Sequence, residues 1–253
     1  MITLRYAAGS DVGRVRQGNE DAAYAGARLL AVADGMGGHV GGEVASSAAI
    51  ATVAGLDHET PEDLVAAAEA GVRRANQRLR ELVEQDPSLT GMGTTLTLML
   101  WDGPRVALAH IGDSRAYLLR NGDLYQITYD HTLVQTLMDD GRITAEEAAR
   151  HPHRSILLQV LDGGENVDPD LSLRDAEVGD RYLLCSDGLS GVVDADRLRH
   201  VLAEIDDLDA VTRQLIELAC EAGGPDNITC VVADVVEGPG PDTPVVVGAA
   251  SPS

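Results

Sequence analysis

Residues 94–128, TTLTLMLWDGPRVALAHIGDSRAYLLRNGDLYQIT, decide the fold class. Four short apolar runs succeed one another: Thr94 to Trp101, Arg105 to Ile111, Arg115 to Leu119 and Leu124 to Thr128. Each has the length of a strand and is too short for a helix. Asp102-Gly103 and Asn121-Gly122 stand between them as hairpin dipeptides, because type I′ turns demand positive φ at both central residues. Hairpins pair strands antiparallel, which excludes a doubly wound parallel sheet.

Upstream, the apolar run Arg28 to Ala33 stops at Asp34-Gly35-Met36-Gly37-Gly38. Residues 43–56 carry an Ala-rich helical stripe, and Thr60-Pro61-Glu62-Asp63 opens a second helix that ends near Glu84, with Thr60 as cap and Pro61 at the first helical position. Downstream, residues 131–165 hold two short helical patterns, the second opening on the capping box Thr144-Ala145-Glu146-Glu147. That stretch carries His131, His151 and His153 and few apolar residues, so it reads as a flap over the surface. Strands return at Asp170 to Leu173, Arg181 to Cys185 and Ile228 to Val236, with helices near 195–203 and 208–221. Strands in antiparallel groups and helices in adjacent pairs predict one α+β domain over residues 1–237, an antiparallel β-sandwich flanked by pairs of α-helices. Residues 238–253, rich in Gly and Pro, are expected to form a disordered tail.

Composition narrows the function. All 19 basic residues are arginine, against 41 acidic ones, for a net charge of −22. The absence of lysine excludes a P-loop, a kinase-type strand lysine and a Schiff base. Strong negative charge speaks against binding nucleic acid or anionic lipid. Three cysteines without a C-x-x-C spacing fit a reducing compartment, and no apolar run reaches the roughly 18 residues of a membrane span. A cytoplasmic protein, monomeric and without a span in this chain, is therefore expected.

Four aspartates share one local setting: Asp34, Asp113 and Asp187 each follow an apolar run, and Asp226 precedes one. Taken singly, each Asp-Gly or Pro-Asp is an ordinary turn dipeptide. Gathered at one end of a sandwich, they would repel one another unless a cation lay among them, and an all-oxygen set suits Mg²⁺ or Mn²⁺. Gly35, Gly37 and Gly38 after Asp34 let the backbone approach such an ion and offer a bare carbonyl. Farther upstream, Arg16 stands before Glu20-Asp21; its planar fork can hold two phosphate oxygens, although the segment alone also reads as a solvated charged loop.

Six segments in order carry a resemblance: Arg16 with Asn19-Glu20-Asp21, Ala33-Asp34-Gly35-Met36-Gly37-Gly38, Gly93-Thr94-Thr95, His110-Ile111-Gly112-Asp113-Ser114-Arg115, Cys185-Ser186-Asp187-Gly188-Leu189 and Gly224-Pro225-Asp226-Asn227. Together they resemble the motifs of the metal-dependent serine/threonine phosphatases of the 2C type, bacterial branch. The resemblance implies two Mn²⁺ or Mg²⁺ ions at the core and a third beside them. Asp34 would bridge the two ions, Gly35 would lend its carbonyl, and Asp187 and Asp226 would bind the second. Asp113 with Asp187 would hold the third. Glu20 would contact the metals through water, with Asp21 and Asn227 in support, and Arg16 would hold the substrate phosphate. Arg16, Asp34 and Asp187 would carry catalysis.

The implied reaction is hydrolysis of phosphoserine and phosphothreonine in proteins, reversing Ser/Thr kinases. Small phosphoesters, a single regulatory phosphoprotein and a non-catalytic phosphoprotein-binding role are the alternatives. Met36 stands where many eukaryotic relatives have histidine; a thioether cannot donate a proton, which leaves that task to water. His39 reads as a loop histidine.

Overall fold

The computed structural model describes residues 2–251, the side chains of His39 and Ala149 excepted. Its strands are β1 (Ile2–Asp11), β2 (Asp21–Ala25), β3 (Leu29–Met36), β4 (Gly93–Thr94), β5 (Leu96–Trp101), β6 (Arg105–Ile111), β7 (Arg115–Arg120), β8 (Asp123–Gln126), β9 (Asp170–Asp175), β10 (Arg181–Cys185), β11 (Ile228–Glu237) and β12 (Val245–Gly248). The α-helices are α1 (His39–Val53), α2 (Leu64–Gln85), α3 (Leu133–Asp139), α4 (Ala145–Ala149), α5 (Asp187–Ser190), α6 (Ala195–Glu204) and α7 (Leu208–Glu221).

Two antiparallel sheets result, ordered β1-β11-β10-β7-β8 and β12-β2-β3-β5-β6-β9, with β4 pairing on β3. The expected sandwich with helices outside is the observed one. β3 explains why its sequence runs apolar without alternating. Leu30 and Val32 join the core between the sheets, while Leu29, Ala31 and Ala33 pack under α1 and α2. A strand covered on both faces needs an apolar side chain at every position. Leu183 and Cys185 of β10 likewise face α6 and α7, and Tyr182 and Leu184 face the other sheet.

The hairpins form where the dipeptides place them. Asn121 and Gly122 lie at φ 54° and 85°, both positive as a type I′ turn requires. In the β5–β6 hairpin Gly103 is positive, at 110°, but Asp102 is not, so that turn departs from the type I′ expectation; Asp102 Oδ1 instead accepts the Arg105 N–H at 3.0 Å. The second helix starts later than the Thr60-Pro61 reading: Asp63 is its cap, accepting from the Val65 and Ala66 N–H groups at 3.0 Å. Carboxylate caps satisfy two otherwise orphaned donors, which favours Asp63 over Thr60. The Thr144–Glu147 capping box is present at α4.

Up to residue 251 the tail corrects the expectation of disorder; residues 252–253 lie outside the described residues. Val245–Gly248 pairs antiparallel with β2 as an edge strand. Val245 and Val247 pack toward the core between the sheets and Val246 toward the α1–α2 layer. Three consecutive β-branched residues outweigh the flanking Gly and Pro once β2 offers an open edge.

Topology then gathers the acidic residues. β3, β5 and β6 are successively antiparallel, so β3 and β6 end at the same edge, carrying Asp34 and Asp113. β10 and β11 are antiparallel, so Asp187, after the first, meets Asp226, before the second.

Candidate active site

A cleft of about 360 Å³ opens at this end of the sandwich, lined by Arg16, Glu20, Asp34, Gly35, Asp113, Asp187 and Asp226 among others. Every lining residue expected from the sequence is therefore present in one place. Asp21 and Asn227 stand behind the wall. Asp21 opposes Asp34 in the β2–β3 ladder, and its Oδ2 accepts the Ser186 hydroxyl at 2.6 Å. Asn227 fastens the loop that delivers Arg16 and Glu20. Its Oδ1 accepts the Glu20 N–H at 2.8 Å, and its Nδ2 donates to Val12 O at 3.0 Å and to Gly18 O at 2.9 Å.

Gly35 is required by close approach. A Cβ there would collide with the Gly42 carbonyl oxygen and lie 2.6 Å from the Glu20 oxygen. The Gly35 N–H donates to Glu20 O at 3.1 Å, joining the two halves of the cleft floor. Arg16 crosses the rim, with Nη2 donating to Asp226 Oδ2 at 2.7 Å. Met36 lines the cleft, and no histidine does among the described residues. His39 opens α1, and its side chain lies outside the described set.

Electrostatics mark the cluster as unfavourable for protein alone. Burial pushes Asp21 up to about 7, with repulsion from Asp187 and Asp226 added, against hydrogen bonds from Ser186 and Thr229. Asp113 is raised to about 7 by burial and by the charges of Asp187 and Asp130. Burial raises Asp34 well above the carboxylate range, and Asp21, Asp187, Asp113 and Asp226 all repel it. Asp187 is raised by burial and by Asp226, and its Oδ1 is a buried atom without a hydrogen-bond partner.

A divalent cation fits such a donor set, because it removes the repulsion and coordinates the orphaned oxygen. Among the described residues no three His, Cys, Asp or Glu side chains close into a cage. Mg²⁺-type sites are built that way, using one or two carboxylates per ion and water for the remainder.

Sequence reading missed the hydroxyls that set these carboxylates. The Asp34 N–H donates to Thr95 Oγ1 at 2.9 Å, and Thr95 Oγ1 lies 2.8 Å from Ser114 Oγ. Ser186 accepts the Thr229 N–H at 3.1 Å while donating to Asp21. The available signal was the adjacency Asp113-Ser114 and Ser186-Asp187, small hydroxyls beside acids at strand ends.

Known proteins bear on this geometry. A family profile described as protein phosphatase 2C matches residues 9–220. The serine/threonine protein phosphatase PstP of Mycobacterium tuberculosis is 55% identical over 252 residues, covering 99% of this chain and 49% of PstP. The chain thus spans about half the length of that relative. Protein phosphatase PhpP of Streptococcus pneumoniae is 35% identical over 237 residues, 90% of this chain and 96% of PhpP. The crystal structure of M. tuberculosis PstP superposes with a TM-score of 0.90 at 55% identity, covering 93% of this chain and all of that one. A second crystal structure, of the PstP catalytic domain with two manganese ions, matches at a TM-score of 0.88 and 54% identity over 94% of this chain. The sandwich agrees with these matches, and the chain belongs to the protein phosphatase 2C family.

Proposed function

We propose that this chain hydrolyses phosphoserine and phosphothreonine in proteins, with Mn²⁺ or Mg²⁺ held in the cleft, in a reducing, cytoplasmic setting and as a monomer. One observation carries the reading: Asp34, Asp113, Asp187 and Asp226 converge on a single cleft with no lysine anywhere in the chain to neutralise them. Asp34, the Gly35 carbonyl, Asp187 and Asp226 would hold two ions, Asp113 with Asp187 a third, and Glu20 would act through water. When bound, such ions lower the pKa of water from 15.7 towards ~7 and neutralise charge on the phosphoryl oxygens.

The chain's own residues do the remainder. Arg16 keeps one Nη2 contact on Asp226 and has further N–H donors in its planar fork for phosphate oxygens. The Asp226 contact aims the guanidinium across the rim before substrate arrives, which limits the ordering cost of binding. Asn227 and Asp21 hold the Glu20 loop and the Asp34 strand in register. Met36 contributes shape and no proton. Phosphoproteins, with the Ser/Thr kinases that make them, are the implied partners. Among the described residues no helix is long and apolar enough to cross a membrane.

Phosphate release from a single phosphothreonine peptide, measured with Mn²⁺ and again with excess chelator, tests the proposal. Release that needs the metal is expected. No release in Mn²⁺ refutes it; phosphopeptide binding that ignores chelator, without turnover, would point to a binding module instead.

A further inference from the structure

Asp130-His131-Thr132, where the chain leaves the strands for the flap, has no part in the reaction above, yet all three side chains are buried. Each has its own partner. Asp130 accepts a fork from Arg115, with Nε at 3.0 Å and Nη2 at 2.7 Å. Thr132 caps α3 by accepting the Gln135 N–H at 3.2 Å. His131 grips Gly112, the residue before Asp113. The His131 N–H donates to Gly112 O at 2.8 Å, and the Gly112 N–H donates to His131 Nδ1 at 3.1 Å. Both polar groups of Gly112 are thus held by one residue. Gly112 lies at φ 112°, and a Cβ there would press into Thr95, so the turn cannot be stiffened by a side chain of its own.

The remaining contacts define the ring's state. With Nδ1 accepting, the proton sits on Nε2, which points at Asp170 Oδ2 3.2 Å away. The neighbouring ring of His110 is committed elsewhere: its Nε2 donates to Tyr129 O at 2.9 Å, and its Nδ1 faces Thr97 Oγ1 at 2.9 Å. The flap returns onto the same residue, because the Leu158 N–H donates to His131 O at 2.8 Å. Its far root is fastened in parallel. Leu161 and Thr94 exchange N–H···O bonds at 2.9 Å, and Thr94 Oγ1 lies 2.9 Å from Asp34 O. One root of the flap is therefore attached to the turn before Asp113 and the other to the end of β3 that carries Asp34, while Ser155 and Leu157 between the roots line the cleft itself.

We propose that His131 is a positioning residue that couples the flap to Asp113, holding the Asp113 turn in its cation-binding pose and the flap root against it by the same two hydrogen bonds. The inference rests on the metal-dependent reading given above. Coupling of this kind is reciprocal: cation binding must steady the flap by as much as a secure flap root favours the cation.

Amide hydrogen exchange and calorimetric Mn²⁺ titration test it on the whole chain. In the wild type, Mn²⁺ should slow exchange in residues 131–161 together with that of residues 112–114. His131→Phe keeps the bulk and loses the acceptor; it should weaken the weakest class of Mn²⁺ site roughly 5- to 150-fold and remove the flap's response. His131→Asn loses bulk but places an oxygen where Nδ1 stood, and should restore most of both. A residue that merely packs gives the reverse order, Phe better than Asn, and that order overturns the inference. Should the Phe variant fail to fold, the wild-type exchange decides alone: a flap indifferent to bound Mn²⁺ overturns the coupling. Wild-type phosphate release measured alongside separates the two readings, since Mn²⁺ uptake without turnover sinks the reaction and leaves the coupling to be judged on exchange.

Discussion

Asp187 has one carboxylate oxygen buried without a hydrogen-bond partner, and burial together with the charge of Asp226 raises its pKa. Replacing it by asparagine removes the charge and keeps the shape, so Asp187→Asn should fold and lose Mn²⁺ affinity, with turnover falling by more than the roughly 100-fold typical of supporting residues around a metal. Wild-type phosphate release by that variant would exclude Asp187 from the cation site. Arg16→Ala removes a charge-assisted contact to the phosphate, which costs about 1.5 to 3 kcal/mol, or roughly 10- to 150-fold in kcat/KM. An unchanged kcat/KM would take Arg16 out of substrate binding. The aspartates were legible because Asp34, Asp113, Asp187 and Asp226 recur beside apolar runs, whereas any one of them alone reads as an ordinary turn residue. Ser186, Thr95 and Ser114 were not, because a hydroxyl next to a strand is common and theirs acquire meaning only when Asp21 and Asp34, far off in sequence, arrive beside them.

The elements divide in the same way. Runs covered on both faces, such as β3 and β10, were legible from apolar continuity, and the β7–β8 turn from the positive φ that Asn121-Gly122 supplies. β12 was hidden because a four-residue edge strand has almost no local signal; it forms when the open edge of β2 meets Val245, Val246 and Val247. Its contribution can be measured. Deleting residues 244–251 uncovers β2 and removes three half-buried valines, which should cost about 2 to 4 kcal/mol, seen as an earlier denaturant midpoint. A disordered tail predicts no shift at all, so an unchanged midpoint would restore the original expectation.

For the whole molecule, the fold and the cation site oppose one another. Two sheets and their helices supply enough buried apolar surface to force several carboxylates into one cleft, and a net charge of −22 adds repulsion from outside. The consequence for the metal-free protein has a definite sign. Asp21 and Asp113 are held at about 7 in the native state, against about 3.9 for an unfolded aspartate. The folded chain then binds protons that the unfolded chain has released, so stability is present at low pH and is lost as pH rises from about 4 to about 7. Buried His110, lowered to about 4, works in the opposite direction over about 4 to 6.5, because there the unfolded histidine is the one that takes up the proton. The aspartates therefore dominate the upper part of the range. Chelator-treated protein should melt at a lower temperature at pH 7.5 than at pH 6.5, Asp113→Asn should flatten that slope, and saturating Mn²⁺ should raise the melting temperature more at pH 7.5 than at 6.5. Equal stabilisation by Mn²⁺ at both values would mean that the ion does not replace protons on these carboxylates.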